Sequence, residues 1–177
     1  ASNYSKQNEQ VFKFINVGAL ETKKNQIILI HAIKNLITQG VDVELNIIGS
    51  GSQYAYLKQT IQQLGLEKSV RLLGQKSRAE IINLISESDA FVLSSTFETF
   101  GVVVIEAFSL GKPVVTTSCG GPESLIDESN GLVVTNNNLE DLTAKMYNLI
   151  ENYQAYDPDL IRSNAYNLYS EEAVIEK

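Results

Sequence analysis

Five short apolar runs in this chain each end at glycine or serine. Residues 11–17 stop at Gly18, 43–48 at Gly49, 70–73 at Gly74, 90–93 at Ser94 and 113–117 at Ser118. Between the first four lie segments with apolar residues at helical spacing, such as Ile28, Leu29, Ala32, Ile33 and Leu36. Strand and helix therefore alternate, with βα loops short enough for right-handed crossovers. That pattern predicts an open parallel sheet with helices on both faces, a Rossmann-like α/β fold. In such sheets ligands bind beyond the carboxyl ends of the strands. The glycines and serines that close the strands should then line a single rim.

The remaining elements follow from local signals. Helices are expected over 25–37, closed near Gly40, and from a Ser52 N-cap to Gly65. Ser77-Arg-Ala-Glu80 is a capping-box pattern opening a helix to about Glu87. The run 102–105, Val-Val-Val-Ile, favours a strand by β-branching, whereas Gly111 and Pro113 form a good helix stop. A turn or short helix should follow at Gly121, then a small strand over 132–134 and a helix over 139–149 capped by Asn138. Residues 159–177 read as helical.

Composition narrows the class. At 177 residues, 44% hydrophobic and 20% charged, the chain is of single-domain size with an ordinary globular balance. A net charge of −7 argues against nucleic acid as a partner, since phosphates are bound through Lys and Arg. No apolar run approaches the roughly 20 residues a membrane span needs, and no signal peptide opens the chain. The lone Cys119 excludes an internal disulfide and fits a reducing compartment. With one His and one Cys, no zinc site reaches its usual ligand count, so no metal ligands are assigned. His31 reads as a helix-surface or half-buried side chain, and Ser94, Ser95 and Cys119 have no histidine to activate them.

Chemistry concentrates between Ser95 and Leu110. Glu98 sits in the loop after an apolar strand, and Glu106 lies in an otherwise apolar run. A bare buried carboxylate costs roughly several kcal/mol, so a polar partner is expected at Glu106, and vicinal ligand hydroxyls would suit it. If a helix starts at Phe100-Gly101-Val102-Val103, its free N–H groups and dipole offer a site for phosphate. Lys24, just beyond the first strand, is a cation that could neutralise a departing phosphate. The Gly49-Ser-Gly51 loop lacks the third glycine of a dinucleotide fingerprint and follows the second strand, so it reads as a loop on the ligand rim.

The spacing of Glu98 and Glu106 resembles the Glu-x7-Glu signature of retaining glycosyltransferases of GT-B architecture, of the group 1 or family 4 type. Further motifs stand in that family's order: Val17-Gly18 with Lys24-Asn25, Ile47-Ile-Gly-Ser-Gly51, Leu73-Gly74-Gln75 and Gly111-Lys-Pro-Val-Val115. The resemblance runs from about residue 14 to 151. It implies the C-terminal, donor-binding domain of a two-domain enzyme, filling residues 1–177, with 159–177 a cut remnant of C-terminal helices. Glu106 would then hold the nucleotide ribose and Glu98 the transferred sugar. Lys24 and the 100–103 amides would hold the diphosphate, Gly18 would lie beneath it, and backbone groups at Gln75 and Lys76 would bind the nucleobase. The resemblance further implies metal-independent transfer without a cofactor. The implied partners are a nucleotide-sugar donor and an N-terminal acceptor domain. A cytoplasmic location is expected, any contact with the inner membrane surface falling to that other domain. Where the family carries an arginine after the first glycine, this chain has Ala19, which leaves compensation to Lys23 or the absent domain. A sugar-nucleotide epimerase, a glycan phosphorylase and a non-catalytic sugar-nucleotide-binding module are the other readings open to this sequence.

Overall fold

The computed structural model describes residues 11–135 and 138–169. Six parallel strands form one sheet: β1 (Phe12–Val17), β2 (Val43–Ile48), β3 (Val70–Gly74), β4 (Ala90–Leu93), β5 (Val114–Thr117) and β6 (Gly131–Val134), in the order β3-β2-β1-β4-β5-β6. Helices α1 (Gln26–Thr38), α2 (Tyr54–Gln63), α3 (Arg78–Ser86), α4 (Val102–Ser109), α5 (Leu139–Glu151) and α6 (Pro158–Tyr169) flank it. This is the Rossmann-like open sheet that the alternation predicts. Residues 170–177 of the expected terminal helix lie outside the described residues.

Two cores sandwich the sheet. One face packs Phe14, Leu45 and Val92 against α1, α2 and α5, through Leu29, Leu57 and Met146. The other packs Ile15, Phe91 and Val114 against α3, α4 and α6, through Ile85, Phe108 and Ile161. Strands β4 and β5 are buried along their whole length, which is why they read as unbroken apolar runs. Edge strand β3 carries exposed Arg71, which forks onto Glu44 of β2 at 2.9 and 3.2 Å. A charged side chain there discourages edge-to-edge pairing.

The β-branched run 102–105 is helical. Val104, Ala107 and Phe108 are its buried residues, at helical spacing, and that packing outweighs the strand preference. Gly111, at φ 71°, ends the helix. Ser52 is not the cap expected of α2. The chain turns at Gly51, with Tyr54 N donating to Gly51 O, and the N-cap position is Gln53 without a side-chain bond. Among the described residues, no helix is long and apolar enough to cross a membrane.

Strand order reverses between β1 and β4. Those strands pair at Phe14 with Ala90 and Ile15 with Phe91, after which buried Asn16 donates its side-chain amide to Val92 O at 2.8 Å. A side chain thus takes over from the ladder as the two strands part. Open α/β sheets bind ligands beyond the carboxyl ends of the strands, at such a switch point.

Candidate active site at the β1–β4 switch point

The loop after β1 is held from below by the loop after β2. Gly18 N donates to Ile48 O, Leu20 N to Ser50 O and Gln53 N to Leu20 O, all within 2.9–3.0 Å. Gly49 stands at φ 147°, and a Cβ there would lie 1.9 Å from Gly18 O. The Gly49–Gly51 loop therefore buttresses the β1 loop through close backbone approach. Buried Gln26 adds a bond from its amide to Ala19 O at 3.0 Å.

A short 3₁₀ turn then presents Lys24, whose Cδ lies 3.9 Å from the position a Gly18 Cβ would take. The loop after β4 locks onto this turn. Ser94 Oγ donates to Lys24 O at 2.8 Å, and Thr96 N to Lys23 O at 2.8 Å. The Lys24 ammonium pairs with Glu98 Oε1, with the two side chains only 21% and 19% exposed. Ser95 Oγ donates to the same oxygen at 2.9 Å. Lys24 and Glu98, expected on separate duties, are thus one hydrogen-bonded unit. Ser94 and Ser95 are fully buried, and sequence reasoning missed them because it tested them as nucleophiles rather than as braces. Lys23, a candidate replacement for the absent arginine, points its ammonium at Glu21, 3.5 Å away.

Glu98 leads into Phe100, exposed at the rim, and Gly101, which caps α4 at φ 83°. Val104 N donates to Gly101 O at 2.8 Å, so the Val102 and Val103 amides precede the first helical bond and have no partner among the described residues. A Cβ on Gly101 would meet Pro122 Cγ at 2.9 Å, in a backbone region L-residues avoid.

Glu106 departs from expectation. Its carboxylate is 37% exposed and meets Arg78 Nη2 at 3.4 Å, so no ligand is needed to satisfy it. The apolar flanks belong to another face of the helix: Glu106 stands two positions from Val104, about 200° around the axis. Arg78 itself went unnoticed in the sequence because the contact crosses from α3 to α4. It also ties Glu106 to the β3–α3 loop, where exposed Gln75 and half-buried Lys76 follow Gly74 at φ 70°. Lys76 pairs with Glu80 at 3.3 Å, and the Ser77–Glu80 capping box forms as the pattern predicts. Among the described residues, no hydrogen bond or ion pair joins the Lys24–Glu98 unit directly to the Glu106–Arg78 pair.

Residues 2–167 match the family described as Glycosyl transferases group 1. The chain belongs to that family. Its curated relatives include an uncharacterized glycosyltransferase of Methanocaldococcus jannaschii, 35% identical over 147 residues, covering 82% of this chain and 40% of the relative. Glycogen synthase of Mycobacterium tuberculosis is 29% identical over 140 residues, covering 78% and 34%. Among solved structures, Anabaena HepE in complex with UDP and glucose superposes with a TM-score of 0.79 at 30% identity, covering 88% of this chain and 44% of that one. The chain thus spans less than half the length of each of these relatives.

Proposed function

We propose that this chain is the donor-binding half of a retaining glycosyltransferase of the Glu-x7-Glu type, working in glycan or polysaccharide synthesis. The observation that carries the reading is the Lys24–Glu98 unit at the sheet's switch point, beside the open N-terminus of α4. A UDP-sugar is the donor class best supported, given the UDP and glucose bound to HepE.

In this reading the uracil lies over the Gln75–Lys76 backbone, and Glu106 accepts from the ribose hydroxyls. Glu106 is suited to that task because it is half exposed and already leans toward the base-binding loop through Arg78. The diphosphate faces the Val102 and Val103 amides, where the helix dipole favours an anion. Lys24 has three donors, so its ammonium keeps Glu98 and still reaches a phosphate oxygen. Glu98 accepts from hydroxyls of the sugar.

As the anomeric carbon–oxygen bond breaks, negative charge grows on the β-phosphate and positive charge on the sugar ring. Lys24 and the α4 amides stabilise the first. The Glu98 carboxylate faces the second. An acceptor hydroxyl attacks the anomeric carbon on the face the phosphate leaves, and the leaving phosphate takes its proton. Charge stabilisation comes from groups already fixed in place, the arrangement that gives electrostatic catalysis its size. Neither metal nor cofactor has a task in this sequence of steps. The acceptor is held by a second, N-terminal domain, so the 177-residue chain binds donor without transferring sugar.

Calorimetry with UDP tests the reading directly. The chain should bind UDP, and Glu106→Gln should weaken that binding about tenfold, the effect of losing one charged hydrogen-bond acceptor. Equal affinity in the variant would remove Glu106 from the site.

A further inference from the structure

After β5 the chain reads Ser118-Cys-Gly-Gly-Pro-Glu123 and folds back on itself, with Gly120 at φ 116°. The Glu123 carboxylate closes this turn. It accepts from Cys119 N at 3.0 Å, from Gly120 N at 2.9 and 3.1 Å, and from Ser118 Oγ at 3.2 Å. Hydrogen bonds from ordinary amides to an ionised carboxylate are among the strong ones, and removing the acceptor would leave the two amides without it. Partial burial works to raise the Glu123 pKa, but the amide and hydroxyl bonds outweigh it and hold the carboxyl below its ordinary value.

The upper side of the same turn carries the candidate site. Cys119 O accepts from Glu98 N at 2.9 Å. A Cβ on Gly121 would lie 2.4 Å from Thr99 O, and one on Gly120 would lie 3.0 Å from Glu98 O. A Cβ on Gly101 would lie 2.9 Å from Pro122 Cγ, so a side chain there requires Pro122 to shift. The segment from Glu98 to Gly101 thus rests on the Cys119–Pro122 backbone, and the shape of that backbone depends on Glu123.

We propose that Glu123 is a positioning residue for the donor site: it touches no substrate, and it fixes the turn that sets Glu98 and the N-terminus of α4. What is positioned rests on the functional reading above, whereas the positioning itself rests on the loop contacts alone. The two are separable by experiment.

Amide hydrogen exchange and NMR titrations with UDP and with uridine, run on the 177-residue chain and its Glu123→Ala and Glu123→Gln variants, test the proposal. In Glu123→Ala the Glu98 amide should exchange about tenfold faster while core amides such as Phe14 and Leu45 keep their rates. Affinity for UDP should fall about tenfold while affinity for uridine, which lacks phosphate, stays within about twofold. Glu123→Gln retains one acceptor oxygen and should fall between, and it carries the test if the alanine variant does not fold. A uniform rise in exchange across the core, or an unchanged Glu98 amide, overturns the proposal. So does an equal loss of UDP and uridine binding. Faster Glu98 exchange in Glu123→Ala, together with a wild-type chain that ignores UDP, would uphold Glu123 as the turn's brace and reject the donor site.

Discussion

Glu98 and Glu106 stand eight residues apart in one loop–helix segment, yet the protein holds them differently. Glu98 is gripped before any ligand arrives, by Lys24 and Ser95, with its backbone amide on Cys119 O and a side chain 19% exposed. Glu106 has one longer ion pair, to an arginine that is itself 82% exposed. The first arrangement suits stabilisation of developing charge, which needs groups that do not have to reorganise during reaction. The second suits recognition, since a water-facing carboxylate can exchange a weak partner for ligand hydroxyls at small cost. The eight-residue spacing therefore joins a carboxylate fixed by its neighbours to one that faces water, as the proposed roles require.

The sharpest way to break this comparison is to remove the fixed element. In the full-length protein, Lys24→Ala and Glu98→Ala should each lower sugar transfer by about 10²–10³, the range for losing one preorganised stabilising group. Because the two side chains act as a unit, the double variant should be scarcely worse than either single one. Losses that multiply would show two independent roles, and Glu98 would then lose its standing as the partner of Lys24.

Next in size is the glycine that lets α4 begin against Pro122. Gly101→Ala places a Cβ at φ 83° and 2.9 Å from Pro122 Cγ, and should destabilise the chain by about 1–3 kcal/mol in urea unfolding. Gly40→Ala supplies the control, because Gly40 has φ 85° but nothing within 4 Å of the added carbon. The difference between the two isolates the steric contact from the backbone strain. Equal losses would mean that Pro122 yields freely and does not set the helix start.

The adaptable carboxylate should give a smaller effect with no stability change. Glu106→Gln should leave unfolding within about 0.5 kcal/mol, as expected for an exposed ion pair. Against UDP it should lose about tenfold, and against 2′,3′-dideoxy-UDP almost nothing further, since the hydroxyls of the proposed contact are already gone. An equal loss with both ligands would place Glu106 somewhere other than the ribose.

These contrasts follow how the chain could be read. The strands and their common rim were legible because each run ends in a residue that permits a sharp turn. The run 102–110 is ambiguous from propensity, with Gly111 and Pro113 marking only a helix stop, and its helix is legible only from the family resemblance. The capping box at Ser77 and the Asn138 cap on Asp141 N formed as their local patterns require. Local signals were less certain where a glycine turn could set the helix start instead, as at Ser52. What stayed hidden are contacts across the fold: Arg78 on Glu106, Lys24 on Glu98, and the Glu98 amide on Cys119 O. None of these leaves a periodic trace, because a hydrogen bond between distant segments constrains position without imposing spacing. The apolar flanks of Glu106 misled for a related reason, since neighbours in sequence fall on different faces of a helix.

The smallest effect concerns the helix that carries Arg78. Glu80 closes the α3 capping box, and bonds from the Ser77 amide, the Ser77 hydroxyl and Lys76 lower its pKa from 4.5 to about 2. A carboxylate depressed on folding adds stability that is complete above its unfolded pKa and vanishes as pH falls through the folded one. The stability gap between the wild type and Glu80→Gln should therefore be widest above about pH 5 and close toward pH 2. At neutral pH the variant frays α3 only at Ser77, beside Arg78, so the Glu106 side of the site should feel it and the Lys24–Glu98 side should not. UDP affinity measured with and without the ribose hydroxyls would register that asymmetry as a small drop for UDP alone. A drop of equal size for both ligands would mean that α3 supports the whole rim, and the division between a fixed and an adaptable carboxylate would fail there.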